Sequence, residues 1–175
     1  MASVIMLSGP IGAGKTAVAR ELASRWQGPL SAIEGDVFWS FIAKSKSSAK
    51  SESSDRRENF RIISRAMTAA SVPFVRSGYD VLLDFSIPPE FLKTARVILK
   101  DVSLDYVVLR PSLAVCEARA AGRAKGRIAD YGPYRSFYAL FDGAEPHMIR
   151  EDDADAVTIA EHVRDGLAAG LFRVS

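Results

Sequence analysis

Val4–Ala23 reads VIMLSGPIGAGKTAVARELA, and its centre, Gly9–Thr16, is GPIGAGKT. The four apolar residues Val4–Leu7 end in Ser8–Gly9, as a buried strand does. From Lys15 to about Trp26 the period becomes helical, with Val18, Leu22 and Ala23 on one side and Arg20, Glu21 and Arg25 elsewhere. Gly28–Pro29 is the stop. Between strand and helix, GPIGAGKT fits the G-x-x-x-x-G-K-[ST] spacing at every fixed position. That order builds a phosphate cradle, because successive backbone N–H groups turn inward at the positive end of the helix.

Each position in the loop has a chemical reason. Gly9, Gly12 and Gly14 let the backbone approach phosphate where side chains would block it. Ala13 and Ala17 complete the nucleotide-binding set, Lys15 is placed to reach β- and γ-phosphates, and Thr16 offers a hydroxyl to Mg²⁺. A second acidic group for the metal is expected at the end of a neighbouring strand. Asp84, the first charged residue after Val81-Leu82-Leu83, fits that place, at the sheet edge where ligands of open α/β sheets bind. It could hold Mg²⁺ through water, contact an acceptor, or cap the next turn.

Outward from the loop the chain alternates. Leu30–Ile33 reads as a second strand ending in Glu34–Asp36, followed by a short helix through VFWSFIA. Tyr79–Phe85 and Leu104–Pro111 read as the third and fourth strands, and Ala156–Ile159 as the fifth. Helices are expected from Asp55 to about Val75, from Pro88–Pro89 to about Leu99, from a Ser112 cap to about Ala121, near Ser136–Phe141, and at Ala160–Ala169. Phe60, Ile63 and Met67 mark the apolar stripe of the first of these, Ser54 or Asp55 its N-cap, and Pro73 should bend or shorten it. Lys44–Ser54, KSKSSAKSESS, has too little apolar surface to pack and reads as a mobile loop or a substrate-gating flap. Strands alternating with helices imply an α/β fold with a parallel sheet covered on both faces. The 175 residues suit a single domain, 1–175, with no internal repeat or linker.

A formal charge of +2 is too small to argue for nucleic acid or an anionic membrane. Cys116 is the only cysteine and sits among apolar neighbours, so it reads as a buried thiol in a reducing compartment. No apolar run reaches membrane-spanning length and MASVIML is a poor signal peptide, so the cytoplasm is the expected location. His147 and His162 have no metal-ligand spacing with Cys116, and no zinc site is assigned.

Together, GPIGAGKT, IEGD after the second strand, LLD after the third, and VVLRPSLAVCEARAAGR leading into an arginine-rich loop resemble the small P-loop kinases. Shikimate and gluconate kinases, chloramphenicol phosphotransferase and the zeta-toxin-like kinases are the members in question. The resemblance runs along nearly the whole chain. It implies a three-layer α/β/α P-loop NTPase fold with a five-stranded parallel sheet and an arginine-bearing lid, here about 122–135. It also implies that Asp36 contacts an acceptor hydroxyl and can act as its base, whereas the residues alone allow an N-cap for VFWSFIA. Glu34, two positions earlier, is expected on the same strand face. By resemblance Arg119 packs against adenine or contacts phosphate, and Arg123, with Arg127 and Arg135 as alternatives, closes on the moving phosphoryl group.

The implied activity is transfer of the γ-phosphoryl group of ATP, with Mg²⁺, to a hydroxyl of a small molecule. The partners expected are that acceptor alone, with no nucleic acid and no membrane, in a monomer or homodimer. Two other readings stay open: a toxin-like kinase acting on a nucleotide sugar, and a non-catalytic nucleotide-binding switch. The motifs that would identify shikimate, gluconate or chloramphenicol as acceptor are missing from the sequence. Arg57 and Arg61, one turn apart, fit a solvated helix face or an anionic acceptor. Trp26, Phe38, Trp39 and Phe41 read as packing residues, the last three also as lining for an acceptor pocket beside Asp36.

Overall fold

A computed structural model describes residues 2–44, 52–124 and 126–175, with the side chains of the long helix from Arg57 onward. Five strands, β1 (Ser3–Ser8), β2 (Leu30–Glu34), β3 (Asp80–Asp84), β4 (Ser103–Leu109) and β5 (Met148–Ile149), form one parallel sheet in the order β2-β3-β1-β4-β5. The helices are α1 (Lys15–Ser24), α2 (Gly35–Trp39), α3 (Glu52–Arg76), α4 (Leu92–Ile98), α5 (Leu113–Ala121), α6 (Arg135–Ala139) and α7 (Ala156–Ala168). The five-stranded parallel sheet and the α/β layering are as the sequence implies.

Alternation along β1 makes the layers. Successive side chains of a strand point to opposite faces, so Val4 and Met6 join one core cluster with Ile63, Met67, Leu83 and Tyr106. Ile5 and Leu7 join another, with Val18, Leu22, Val107, Ile159 and Val163. Val4–Leu7 are no more than 1% exposed, and each such side chain contributes about 2 kcal/mol over its exposed state. A strand buried on both faces reads as a continuous apolar run, which is why VIML contains no polar residue.

Several expectations need correction. Ala156–Ile159 is the start of a helix rather than the fifth strand: the Asp155 carboxylate accepts from the Thr158 N–H at 2.8 Å and caps α7. Ile159, Ala160, Val163 and Gly166 are its buried face. The fifth strand lies earlier, at Met148–Ile149, paired to Val108 and Leu109. Beside it, the C-terminal segment covers the rest of the β4 edge, through Tyr106 N–H to Phe172 O and Val174 N–H to Leu104 O, both 2.9 Å. Pro73 does not end α3, which runs on to Arg76.

The short helix after β2 starts at Gly35, two residues before VFWSFIA, so Asp36 lies in its first turn and Glu34 takes the N-cap position. Glu34 ends β2 while Asp36 is helical, so the two do not share a strand face. The expected loop or flap at Lys44–Ser54 falls, at 45–51, outside the described residues, and α3 already begins at Glu52. No helix among the described residues is long and apolar enough to cross a membrane.

Candidate active site

Strand register brings the site together. Leu7 pairs with Asp84 and Glu34 also pairs with Asp84, so β1, β3 and β2 finish side by side at the carboxyl edge of the sheet. The loop 9–14 leaves β1 at that edge and enters α1.

Its glycines are held by what they touch. A Cβ on Gly9 would lie 2.2 Å from the Leu109 carbonyl oxygen, and one on Gly12 the same distance from the Cys116 carbonyl oxygen. Gly12 and Gly14 have φ of +86° and +91°, where L side chains are strained. Ala13 N–H donates to Pro10 O at 3.2 Å and closes the turn. The cradle is thus clamped between the end of β4 and the backbone of α5.

The Lys15 ammonium donates to the carbonyls of Gly9 and Pro10, each at 3.1 Å, and so crosses its own loop. Burial lowers its proton affinity below the ordinary lysine value; Asp84 and Asp36 oppose that shift, and Arg123 adds to it. Asp36, Asp84 and Arg123, far apart in the chain, therefore each lie within electrostatic reach of Lys15. Thr16 Oγ1 donates to Asp84 Oδ2 at 2.8 Å. Asp84 is buried, and desolvation raises its proton affinity; Lys15 and the Thr16 bond pull it back, while Asp36 and Glu34 push it further up.

A hydroxyl and a carboxylate beside a phosphate cradle are the oxygen donors that a hard divalent cation prefers. That pair fits Mg²⁺, with Thr16 and Asp84 holding it. Asp36 is exposed at the mouth of the site. Its turn is pressed against the ring that follows Asp84, since a Cβ on Gly35 would lie 2.4 Å from Phe85 Cγ.

The arginines divide. Arg119 lies beside the loop, its Nη1 3.7 Å from where a Gly14 Cβ would be, and its Nη2 donates to Asp152 O at 3.1 Å. Asp152 in turn accepts from the Ser112 N–H at 2.6 Å, which ties the start of α5 to the loop after β5. Arg123 and Arg127 are exposed, and Arg135 pairs with Glu117 at 3.0 Å on the surface of α5 and α6. Arg57 pairs with Glu90 at 2.9 Å and Arg61 with Glu58 at 2.8 Å. Ala17 is exposed on the first turn of α1.

Two residues given no role in the sequence reading make long-range contacts beside the cradle. The buried Tyr131 donates its hydroxyl to Ile11 O at 2.7 Å and so fastens the base of the arginine-rich loop to the tip of the cradle. Arg110, 7% exposed at the end of β4, lies over the Tyr138 ring at 3.9 Å, donates to the Tyr138 hydroxyl at 2.7 Å and pairs with Asp142. The Tyr138 hydroxyl donates to Pro111 O at 2.9 Å. Both tyrosines pack with Cys116 and Ala120, and burial pushes the Cys116 thiol up to about 11. The spacing from Ile11 to Tyr131 has no periodicity, so only the folded chain reveals the contact.

Residues 4–133 match the family model described as an AAA domain. No curated protein sequence matches the chain. Among solved structures it is similar to a sugar kinase from Janibacter sp. HTCC2649, with a TM-score of 0.68 and 19% identity over 96% of this chain and 95% of that one. A tunicamycin resistance protein from Deinococcus radiodurans gives 0.67 and 19% over 100% and 99%. The Mycobacterium tuberculosis APS kinase, solved with AMPPNP and APS, gives 0.64 and 21% over 95% and 98%. At these identities the likeness concerns the fold, which is that of the small P-loop kinases.

Proposed function

The chain belongs to the AAA-domain family matched over residues 4–133, and on that premise we propose that it is an ATP-dependent phosphotransferase acting on a hydroxyl of a small molecule. The observation that carries this reading is the Thr16–Asp84 hydrogen bond beside the cradle, with Lys15 and Asp36 close enough to act on the same carboxylate electrostatically. A passive nucleotide binder needs the cradle but no exposed carboxylate opposite it. The solved relatives named as kinases, one with AMPPNP bound, support ATP as the donor.

In this reading the N–H groups of Gly12–Ala17 and the Lys15 ammonium hold the phosphates, and Lys15 turns from the Gly9 and Pro10 carbonyls to do so. Thr16 and Asp84 would hold Mg²⁺, which would supply charge neutralisation on the phosphate oxygens. Asp36 orients the acceptor hydroxyl and takes its proton as that oxygen bonds to the γ-phosphorus. The bond from the γ-phosphorus to the bridging oxygen breaks, and ADP leaves with the electron pair. Arg123 would close on the developing charge of the equatorial oxygens, and Arg119, beside Gly14, would flank the nucleotide. The free, buried Cys116 thiol suits a reducing compartment, and the cytoplasm is the location proposed.

The test is a screen of hydroxyl-bearing metabolites and antibiotics with labelled ATP, run on the parent and on Asp36→Asn. Nucleotide affinity should be retained in the variant while transfer falls about a hundredfold or more. Transfer untouched by Asp36→Asn removes this residue from the mechanism. Tight ATP binding with no transfer to any acceptor would favour the nucleotide-binding switch.

A further inference from the structure

The carboxyl edge of the sheet carries an aromatic wall. Phe85, next in chain to Asp84, is 3% exposed and packs against the Gly35 backbone immediately before Asp36. Phe60 lies 5.4 Å from Phe85 and is stacked on Phe137 at 5.1 Å, and Trp39 meets Phe60 edge-on at 5.2 Å. Phe85 and Phe141 behind them are buried, but Trp39, Phe60 and Phe137 each keep part of their surface in solvent. These contacting rings are left partly wet, with Phe85 next in chain to Asp84 and Trp39 one turn along α2 from Asp36, and a flat apolar surface laid on them would take that area out of water.

The strand ends beside the wall are acidic. Glu34, Asp36 and Asp84 stand at the ends of adjacent strands or one turn beyond, and on α3 Arg57 is matched to Glu90 and Arg61 to Glu58. Lys15 and Arg123 belong to the phosphate side. A carboxylate or phosphate on the acceptor would meet these three acidic groups at the strand ends. A neutral hydroxyl compound meets no such repulsion, and its apolar face can lie on the rings.

We infer that the acceptor is an uncharged alcohol with a flat apolar face, an aryl group or the C–H face of a sugar ring, seated on Trp39, Phe60 and Phe137 with its hydroxyl toward Asp36. This rests on the phosphotransferase reading above and adds the class of acceptor to it.

Trp39 also provides the probe. The chain has two tryptophans, and Trp26 sits at the opposite end of β3, its Nε1 on Asp80 at 3.1 Å. In a Trp26→Phe protein, Trp39 emission reports on the wall alone. It is titrated, with Mg–AMPPNP present, against matched neutral and carboxylate pairs: phenyl glucoside and phenyl glucuronide, phenylethanediol and mandelate, glucose and gluconate. At least one neutral member should perturb Trp39 with a Kd about tenfold or more below that of its carboxylate partner. That member should be phosphorylated with ATP. Trp39→Leu and Phe137→Leu, each checked for Tm, should then raise its KM about tenfold while the KM for ATP holds.

The inference is overturned if the carboxylates bind as well as the neutral compounds, or if no neutral member perturbs Trp39. It is also overturned if transfer proceeds with neither leucine variant changing the acceptor KM. Failure of the phosphotransferase reading looks different: nucleotide binds and no ADP forms with any acceptor, while the Trp39 titration still reads binding.

Discussion

Thr16 donates its hydroxyl hydrogen to Asp84 across 68 positions of sequence, and the acceptor is a buried carboxylate whose protonation burial favours. The pair joins the first turn of the helix after the cradle to the end of the neighbouring strand. Burial of the ionised carboxylate costs stability, the Thr16 bond offsets part of it, and the pair places two oxygens where a cation would be used.

The cost has a sign that can be measured. Asp84 has its folded-state proton affinity raised above the ordinary value of 3.8, so its ionisation works against the fold. Stability is greatest at low pH on this account and is lost as pH rises through the raised value. Asp84→Asn still accepts from Thr16 and carries no charge. Its Tm at pH 7 should equal or exceed the parent's, with the gap closing toward pH 3, while Mg²⁺-dependent transfer falls about a hundredfold. A variant clearly less stable than the parent at pH 7 would mean that the charge supports the fold.

Gly12→Ala tests the clamp on the cradle. The new Cβ would meet the Cys116 carbonyl at 2.2 Å and take a φ of +86°. Backbone on both sides leaves little room to yield, so the change should cost about 2 kcal/mol or more and weaken nucleotide binding at least tenfold. Gly143→Ala, with no atom within 4 Å of its Cβ, is the control and should stay within about 0.5 kcal/mol. Equal effects at the two positions would show that Gly12 is not specially constrained.

Tyr131→Phe removes one hydroxyl and leaves the ring in place. Loss of the bond to Ile11 O should cost about 1 kcal/mol, or a fall of about 2–4 °C in Tm. Because the lost partner is a cradle carbonyl, the KM for ATP should rise several-fold as well. A fall in Tm with unchanged nucleotide affinity would make Tyr131 a packing residue only.

The cap of α7 offers a pH test away from the site. Asp155 accepts from the N–H groups at the start of the helix, which hold its carboxyl below the ordinary value. A depressed folded value means that the stabilisation is complete above the unfolded value near 3.8 and is lost as pH falls through the folded one. Asp155→Ala should therefore lower Tm at pH 7, and the difference should shrink as the pH drops below about 3.8. Denaturation curves at pH 7, 4 and 2.5 decide it; a constant difference would assign the effect to packing.

How much was legible before folding varies by element. GPIGAGKT carries its own context, so loop, strand and helix were readable, and Asp84 followed from counting along VLLD. The fifth strand was not readable, because two residues are too few to show a period. The β-branched run Val157–Ile159 imitated a strand, although Asp155 and the buried spacing Ile159, Val163, Gly166 mark a capped helix. Pro73 misled for another reason. It falls in the last turn of α3, where the structure continues and Ser77 N–H bonds back to Pro73 O. The Tyr131 and Arg110 contacts are long-range and aperiodic, and such contacts leave no local trace.

The tie between Tyr131 and Ile11 has a companion, Ile128 N–H to Ala120 O at 3.1 Å, and together they bound the travel of the arginine-rich loop. Arg123 and Arg127 ride on a short span pinned at both ends. Fully extended out and back, such a span projects about 12 Å. Covalent geometry therefore sets an upper limit on how far these guanidinium groups can stand from the end of α5 and the rim of the cradle.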